Sequence, residues 1–389
     1  MGKFRRWAAA ALAAALLFGA EWAFPGPVKA EELPFSVDAK AAILIDAASG
    51  QVIFEKNADE KYDVAGMTKL MSALIVSEVL DSGALKLSDT AAVSSSAAGI
   101  GGMSAFLTSG ESYTVEELYK AMLMISANDA TAALAEKLYG SSEAFVAKMK
   151  ERAAELGISP VFTSATGHRA EGQGMSARDA AVIAMELCHY ASALTYSSIY
   201  MGELVHADGR VTELVNPNRL VRFYSGCDGL STGSNSSVGY SGTFTAQRDG
   251  ARYIVVVIGA NSADTRSAIA QKLLDHAFAN YESVVVIEKG KGVAKDVPVE
   301  GGRKSTVHGV AGETLCLLLK KGESSGIAKE VKLGEALIAP VLAGQQMGEL
   351  VVSLNGAEIA RVPIVASEAV EKASIGSALR VIWLDWLHR

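Results

Sequence analysis

Cysteine is scarce in this chain. Cys188, Cys227 and Cys316 are the only three in 389 residues, too few and too scattered for a disulfide framework, and none has the paired spacing of a zinc site. Cys188 and His189 are neighbours, but adjacent residues on a helix point about 100° apart, so they read as two packed residues rather than a thiol–base pair. The six histidines fall at no metal-ligand spacing, so neither a metal nor a cofactor is expected. No basic cluster relieves the excess of 43 Asp+Glu over 36 Lys+Arg, which argues against nucleic acid as a partner. Internal repeats and low-complexity segments are missing too, and a composition that is 50% hydrophobic and 20% charged excludes a disordered chain. Tryptophan is absent from the body of the sequence. All four lie near the ends, at Trp7, Trp22, Trp383 and Trp386.

The ends carry their own signals. Lys3, Arg5 and Arg6 precede an apolar run from Trp7 to Phe18, and Val28-Lys29-Ala30 offers small residues at −3 and −1. Residues 1–30 therefore read as a secretory signal, with the mature chain beginning near Glu31. The run is shorter than the ~20 residues a spanning helix needs, and no later segment reaches that length. In Ala373–Arg389, Ile375, Leu379, Ile382, Trp383 and Trp386 recur at helical spacing, with Arg380, Asp385, His388 and Arg389 at other angles. An amphipathic helix with two indoles on its apolar face suits a bilayer interface. Docking on its own domain or on a partner is the alternative. The terminal unit is placed at 367–389.

Between the ends, Ala41–Ile45 and Gln51–Phe54 read as a β-hairpin around Asp46–Gly50. Apolar residues at i, i+3, i+4 and i+7 predict helix over 66–80, 114–139, 142–156 and 177–190. Tyr253–Ile258 returns to strand, and Thr265–Ala279 to helix. A sheet begun by the hairpin and completed some 200 residues later implies a layered α/β domain over 31–281 with a helical insertion. From Ser283, short apolar runs separated by Gly, Lys and Pro indicate a small all-β domain over 282–366.

Three elements recur in a telling order. Gly66 and Lys69 stand one turn apart in Val64-Ala-Gly-Met-Thr-Lys-Leu-Met71, Ser126-Ala-Asn128 ends an apolar helix, and Asp228-Gly-Leu-Ser-Thr-Gly-Ser234 enters a β-rich segment. The set resembles the S-x-x-K, S-x-N and K-T-G pattern of penicillin-binding proteins and serine β-lactamases. The resemblance is closest to the low-molecular-weight D-alanyl-D-alanine carboxypeptidases. It extends through Gly101–Leu107, Thr114–Tyr119, Ser126–Glu136, Ala177-Arg-Asp, Asn216–Leu220, Asp228-Gly-Leu and the Gly259-Ala segment to Ala339-Pro-Val and Gly344-Gln. It implies a DD-peptidase/β-lactamase-like sheet flanked by helices, a β C-terminal domain and an exported cell-wall protein, peripheral on the outer face of the cytoplasmic membrane. The implied partner is the D-Ala-D-Ala end of a peptidoglycan stem peptide.

The resemblance also implies roles. Lys69 would be the general base, Ser126 and Asn128 would relay a proton and bind peptide, and Ser231, Thr232, Gly233 and Ser234 would form the substrate-binding strand. Two positions depart from the pattern. Gly66 stands where the family has its serine nucleophile, and Ser231 where it has the K-T-G lysine. Thr68 lies roughly 200° round a helix from Gly66 and cannot replace it, Ser72 is a turn beyond Lys69, and no other S-x-x-K occurs. A neutral hydrogen bond is worth ~0.5–1.5 kcal/mol against ~1.5–3 for a charged one, so Ser231 would hold a carboxylate weakly. Backbone N–H groups at Gly66 and Ser234 would still form an oxyanion hole. The expected function is therefore a catalytically degenerate member that binds muropeptide or a wall-synthesis partner. The alternatives are slow hydrolysis by a water held between Lys69 and Ser126, and a structural scaffold at the wall–membrane interface.

Overall fold

The computed structural model describes residues 33–168 and 171–373. The signal segment and both terminal tryptophans, Trp383 and Trp386, lie outside the described residues.

The first domain is built on a five-stranded antiparallel sheet. Its order from edge to edge is Val52–Lys56, Ala41–Asp46, Ala251–Ala260, Gly239–Arg248 and Cys227–Asn235. The two middle strands are apolar on both faces because both faces are covered. Ile43, Ile45, Ile254, Val256 and Ile258 point into one core, while Leu44, Tyr253, Val255 and Val257 point into another, behind which the helix Ala263–Asn280 packs. Side chains alternate between faces along each strand, so one pair of strands supplies both cores.

Between the first hairpin and the return strands lies the helical insertion: Lys69–Asp81, Val115–Ile125, Asn128–Tyr139, Ser142–Glu155 and Ala177–Leu187. Thr114 and Glu117 close a capping box at the second of these helices, and Ser176 and Asp179 close one at the last. Such caps satisfy backbone N–H groups that the first turn leaves open. The expected continuous helix over 114–139 is in fact two, because Ser126 takes a left-handed conformation (φ 60°, ψ 38°) that ends the first one. The expected helix at 66–80 begins with a 3-10 turn, Ala65–Thr68, and becomes α-helical at Lys69. A hairpin of Met201–Val205 and Val211–Val215, not expected from the sequence, lies on the insertion.

Strand Tyr281–Ile287 opens the second domain, which has no long helix among its described residues and has its own core of Val299, Leu350, Val352, Val362 and Ile364. Its six-stranded sheet runs from Ile327–Leu333 to the short strand Leu337–Ile338. Of the terminal unit expected at 367–389, only residues 367–373 are described. Val370 bridges to Val341 and Lys372 to Gly302, so the chain up to Ala373 is extended and pinned to the β domain rather than helical. Among the described residues no helix is long and apolar enough to cross a membrane.

Candidate active site

A cleft of about 870 Å³ opens where the 3-10 turn, the break between the two split helices and the edge strand Cys227–Asn235 converge. It is lined by Gly66, Lys69, Ser126, Asn128, Thr232, Gly233 and Ser234 among others. The sequence-predicted residues are thus brought together, with one exception. Ser231, half-buried and paired with Thr243 across the sheet, is not part of the lining.

Lys69 is the most constrained of them. Its side chain is buried, and Nζ donates to the Thr166 carbonyl at 2.8 Å. Burial favours the neutral amine and brings its pKa down to about 7, while the nearby Asp129 carboxylate pulls in the opposite direction. Asp129 itself is committed to structure, accepting from Ala105 N, Leu107 N and Ser104 Oγ and so fixing the loop that forms one wall.

Ser126 reaches the cleft because of its backbone. The left-handed turn directs a residue at a helix end that would otherwise continue along the axis, and its Oγ is buried with no hydrogen-bond partner among the described residues. Asn128, on the first turn of the next helix, donates through Nδ2 to Gly101 O at 2.8 Å, and its Oδ1 is likewise unspent. Buried polar atoms are nearly always paired, so two open acceptors side by side in a cleft are suited to an incoming ligand.

Gly66 presents no side chain here, but the space for one is defined. A Cβ built on it would stand 3.3 Å from Lys69 Nζ and 3.4 Å from both Ser126 Oγ and Thr232 O. Gly233 is a glycine for a different reason. A Cβ there would come within 2.5 Å of Val64 O and 2.9 Å of Met67 N, so only glycine lets the edge strand lie against the 3-10 turn. Thr68 and Ser72 are not part of the lining, and their hydroxyls are committed, Thr68 Oγ1 donating to Gln173 Oε1 and Ser72 Oγ to Ala165 O.

Among the cleft residues that escaped the sequence reading, Arg266 carries a charge. Arg266, on the helix Ala263–Asn280, is buried and lines the cleft. One guanidinium nitrogen donates to Ser241 O at 3.3 Å, the group lies over the Phe244 ring, and Nε has no partner among the described residues. Burial lowers its pKa to about 10, which leaves it cationic at neutral pH. The signal was present: Arg266 falls on the same stripe as Ile269, Ala270, Leu273 and Leu274, where a charge is out of place unless it serves something. Among the described residues no three His, Cys, Asp or Glu side chains gather as metal ligands.

Comparison with known proteins matches this geometry to a family. The model of the D-alanyl-D-alanine carboxypeptidase family matches residues 27–262, and that of the penicillin-binding protein 5 C-terminal domain matches 281–372. The chain is 38% identical over 351 residues to D-alanyl-D-alanine carboxypeptidase DacF of Bacillus subtilis, covering 90% of each. It is 34% identical to DacC of Escherichia coli, covering 87% of this chain and 85% of that one. Penicillin-binding protein 5 of Haemophilus influenzae superposes with a TM-score of 0.77 at 27% identity, over 88% of this chain and all of its own. Penicillin-binding protein 6B of Escherichia coli gives 0.69 at 26%, over 85% and 96%. With matches across both domains, the chain belongs to the D-alanyl-D-alanine carboxypeptidase family of low-molecular-weight penicillin-binding proteins, which act in peptidoglycan metabolism.

Proposed function

We propose that this chain binds the D-alanyl-D-alanine end of a peptidoglycan stem peptide without forming an acyl-enzyme. The observation that carries this reading is the space at Gly66: a Cβ there would meet the Lys69 amine and the Ser126 hydroxyl, yet no hydroxyl is present to attack a carbonyl. The frame for activating a nucleophile is kept around a position that has none. In a serine enzyme, loss of the nucleophile leaves only ~10³–10⁴-fold acceleration over water from binding and the oxyanion hole.

Binding is still provided for. Arg266 supplies a buried cation with an open N–H for the terminal carboxylate, offsetting the lysine that Ser231 replaces. Asn128 Oδ1 accepts a peptide N–H, and the N–H groups of Gly66 and Ser234 receive the carbonyl oxygen. Export and attachment through the terminal Trp383 and Trp386 would place the cleft beside its ligand at the outer face of the membrane. Intrinsic Trp emission on titration with anionic vesicles tests that attachment, since no other tryptophan remains after residue 30. A wall-synthesis protein as the ligand, or a scaffold role, predicts no peptide binding.

A second reading rests on the open Ser126 Oγ beside a Lys69 amine with a pKa of about 7. A water held between them would give slow hydrolysis. Fluorescent penicillin should leave no covalent band on the unmodified protein, whereas a Gly66→Ser/Ser231→Lys variant should label; a strong band on the unmodified protein refutes the proposal. Release of D-alanine that disappears in Lys69→Ala would select the hydrolytic reading. Saturable binding of a D-Ala-D-Ala peptide without release selects the binding one.

A further inference from the structure

We propose that the hairpin Met201–Val205/Val211–Val215 of one molecule docks on a groove in the β domain of a second copy, giving an open-ended head-to-tail chain of molecules. This is independent of the function proposed for the cleft.

The hairpin has an unusual outer face. Its inner face buries Leu204 and Leu214 in the first core, as a two-layered element should. On the outer face the cross-strand pairs are Met201–Val215, Glu203–Glu213 and Val205–Val211, and every one of these six residues is exposed. Met201, Val205 and Val211 are each more than half exposed, at 51%, 56% and 52%. Two apolar pairs flank a pair of like charges directly opposite one another, an arrangement that destabilises an isolated sheet. A cationic, apolar partner relieves both costs at once.

A surface of that chemistry lies on the same chain. A groove of about 520 Å³ in the second domain is lined by Val285, Val293 and Val331 together with Lys291 and Lys329, the Lys329 ammonium donating to Val286 O. Val285 is 54% and Val331 42% exposed. Glu288 is the one acidic residue in the lining, against two lysines. Matching opposite charges around apolar contacts fixes register and rejects wrong partners. A two-fold dimer through the hairpin alone would bring four glutamates together, so the contact must pair unlike surfaces. A contact between unlike surfaces that does not close generates a filament.

Sedimentation velocity on the full chain in mild detergent tests this from micromolar to hundreds of micromolar. The weight-average mass should climb past twice the monomer, as a closed dimer cannot. Glu203→Lys/Glu213→Lys and, separately, Val285→Glu/Lys291→Glu should each remain monomeric, because each brings like charges together at the junction. All four positions are exposed, so circular dichroism and melting should match the unmodified protein. Mixing the two variants should restore growth, since every alternating junction is again complementary. An unmodified chain that stays monomeric throughout overturns the proposal and leaves the hairpin to a different basic protein. Growth that persists in either variant, or is not restored by mixing, overturns it as well.

Discussion

Lys69 Nζ donates to the carbonyl oxygen of Thr166 at 2.8 Å across the floor of the cleft. The bond ties the first helix of the insertion to the loop that crosses it, and it can be made by the neutral amine. That matters because burial has already brought the amine down to a pKa of about 7.

The consequence is a pH signature. Lysine in the unfolded chain keeps its proton to about 10.4, whereas the folded protein loses it near 7. Between those values the unfolded state binds the extra proton, so stability should rise with pH by up to ~1.4 kcal/mol per unit from this group. Urea midpoints measured from pH 7 to 9 should climb more steeply for the unmodified protein than for Lys69→Met. Parallel slopes would show that the amine stays charged.

Arg266 should separate binding from stability. Its buried Nε lacks a partner among the described residues, so Arg266→Met should raise thermal stability, by ~1–3 kcal/mol if the buried charge is as poorly compensated as its hydrogen bonds indicate. The same change should abolish saturable binding of a D-Ala-D-Ala peptide, and Arg266→Lys should retain part of it. Undiminished peptide binding by Arg266→Met would remove the arginine from the site.

Gly233 and Gly292 form a matched pair of tests. A methyl at Gly233 meets Val64 O at 2.5 Å, and one at Gly292 meets nothing within 4 Å. Gly233→Ala should cost ~2 kcal/mol or more, since two backbones must part to admit it. Gly292→Ala should stay within about 0.5 kcal/mol. Equal effects in thermal melts would mean that the strand and the 3-10 turn are not held in contact.

Ser126 sits at φ 60°, where a residue with a Cβ is strained. Ser126→Gly should therefore keep or raise stability by up to ~1 kcal/mol. In a Gly66→Ser/Ser231→Lys background the same change should cut penicillin labelling sharply. Unchanged labelling would assign the hydroxyl no part in the chemistry.

Motif positions such as Lys69 and Asn128 were legible because a reaction restricts residue type at fixed spacing. Arg266 was missed, since a lone arginine in a helix looks like surface charge unless the apolar stripe of Ile269, Ala270, Leu273 and Leu274 that it shares is weighed with it. Periodicity likewise carried one helix through Ser126, because apolar spacing continues smoothly across a break made by a single residue's φ. The hairpin at Met201–Val215 was hidden by its outer valines, which erase the alternation that marks a half-buried strand. The order of the strands follows from no local signal. The expected all-β domain was visible from punctuation by Gly, Lys and Pro, but its pairing of Ile327–Leu333 with Gln346–Leu354 was not.

The central pairing of Ala41–Asp46 with Ala251–Ala260 joins residues more than two hundred positions apart. Closing so long a loop comes late, because its entropy must be met before the contacts reward it. The first hairpin therefore has no second neighbour until the chain beyond residue 260 has emerged. Until then the strand Ala41–Asp46, apolar from Ala41 to Ile45, waits with an unpaired edge, and that interval is when the protein is most exposed to aggregation and to proteases.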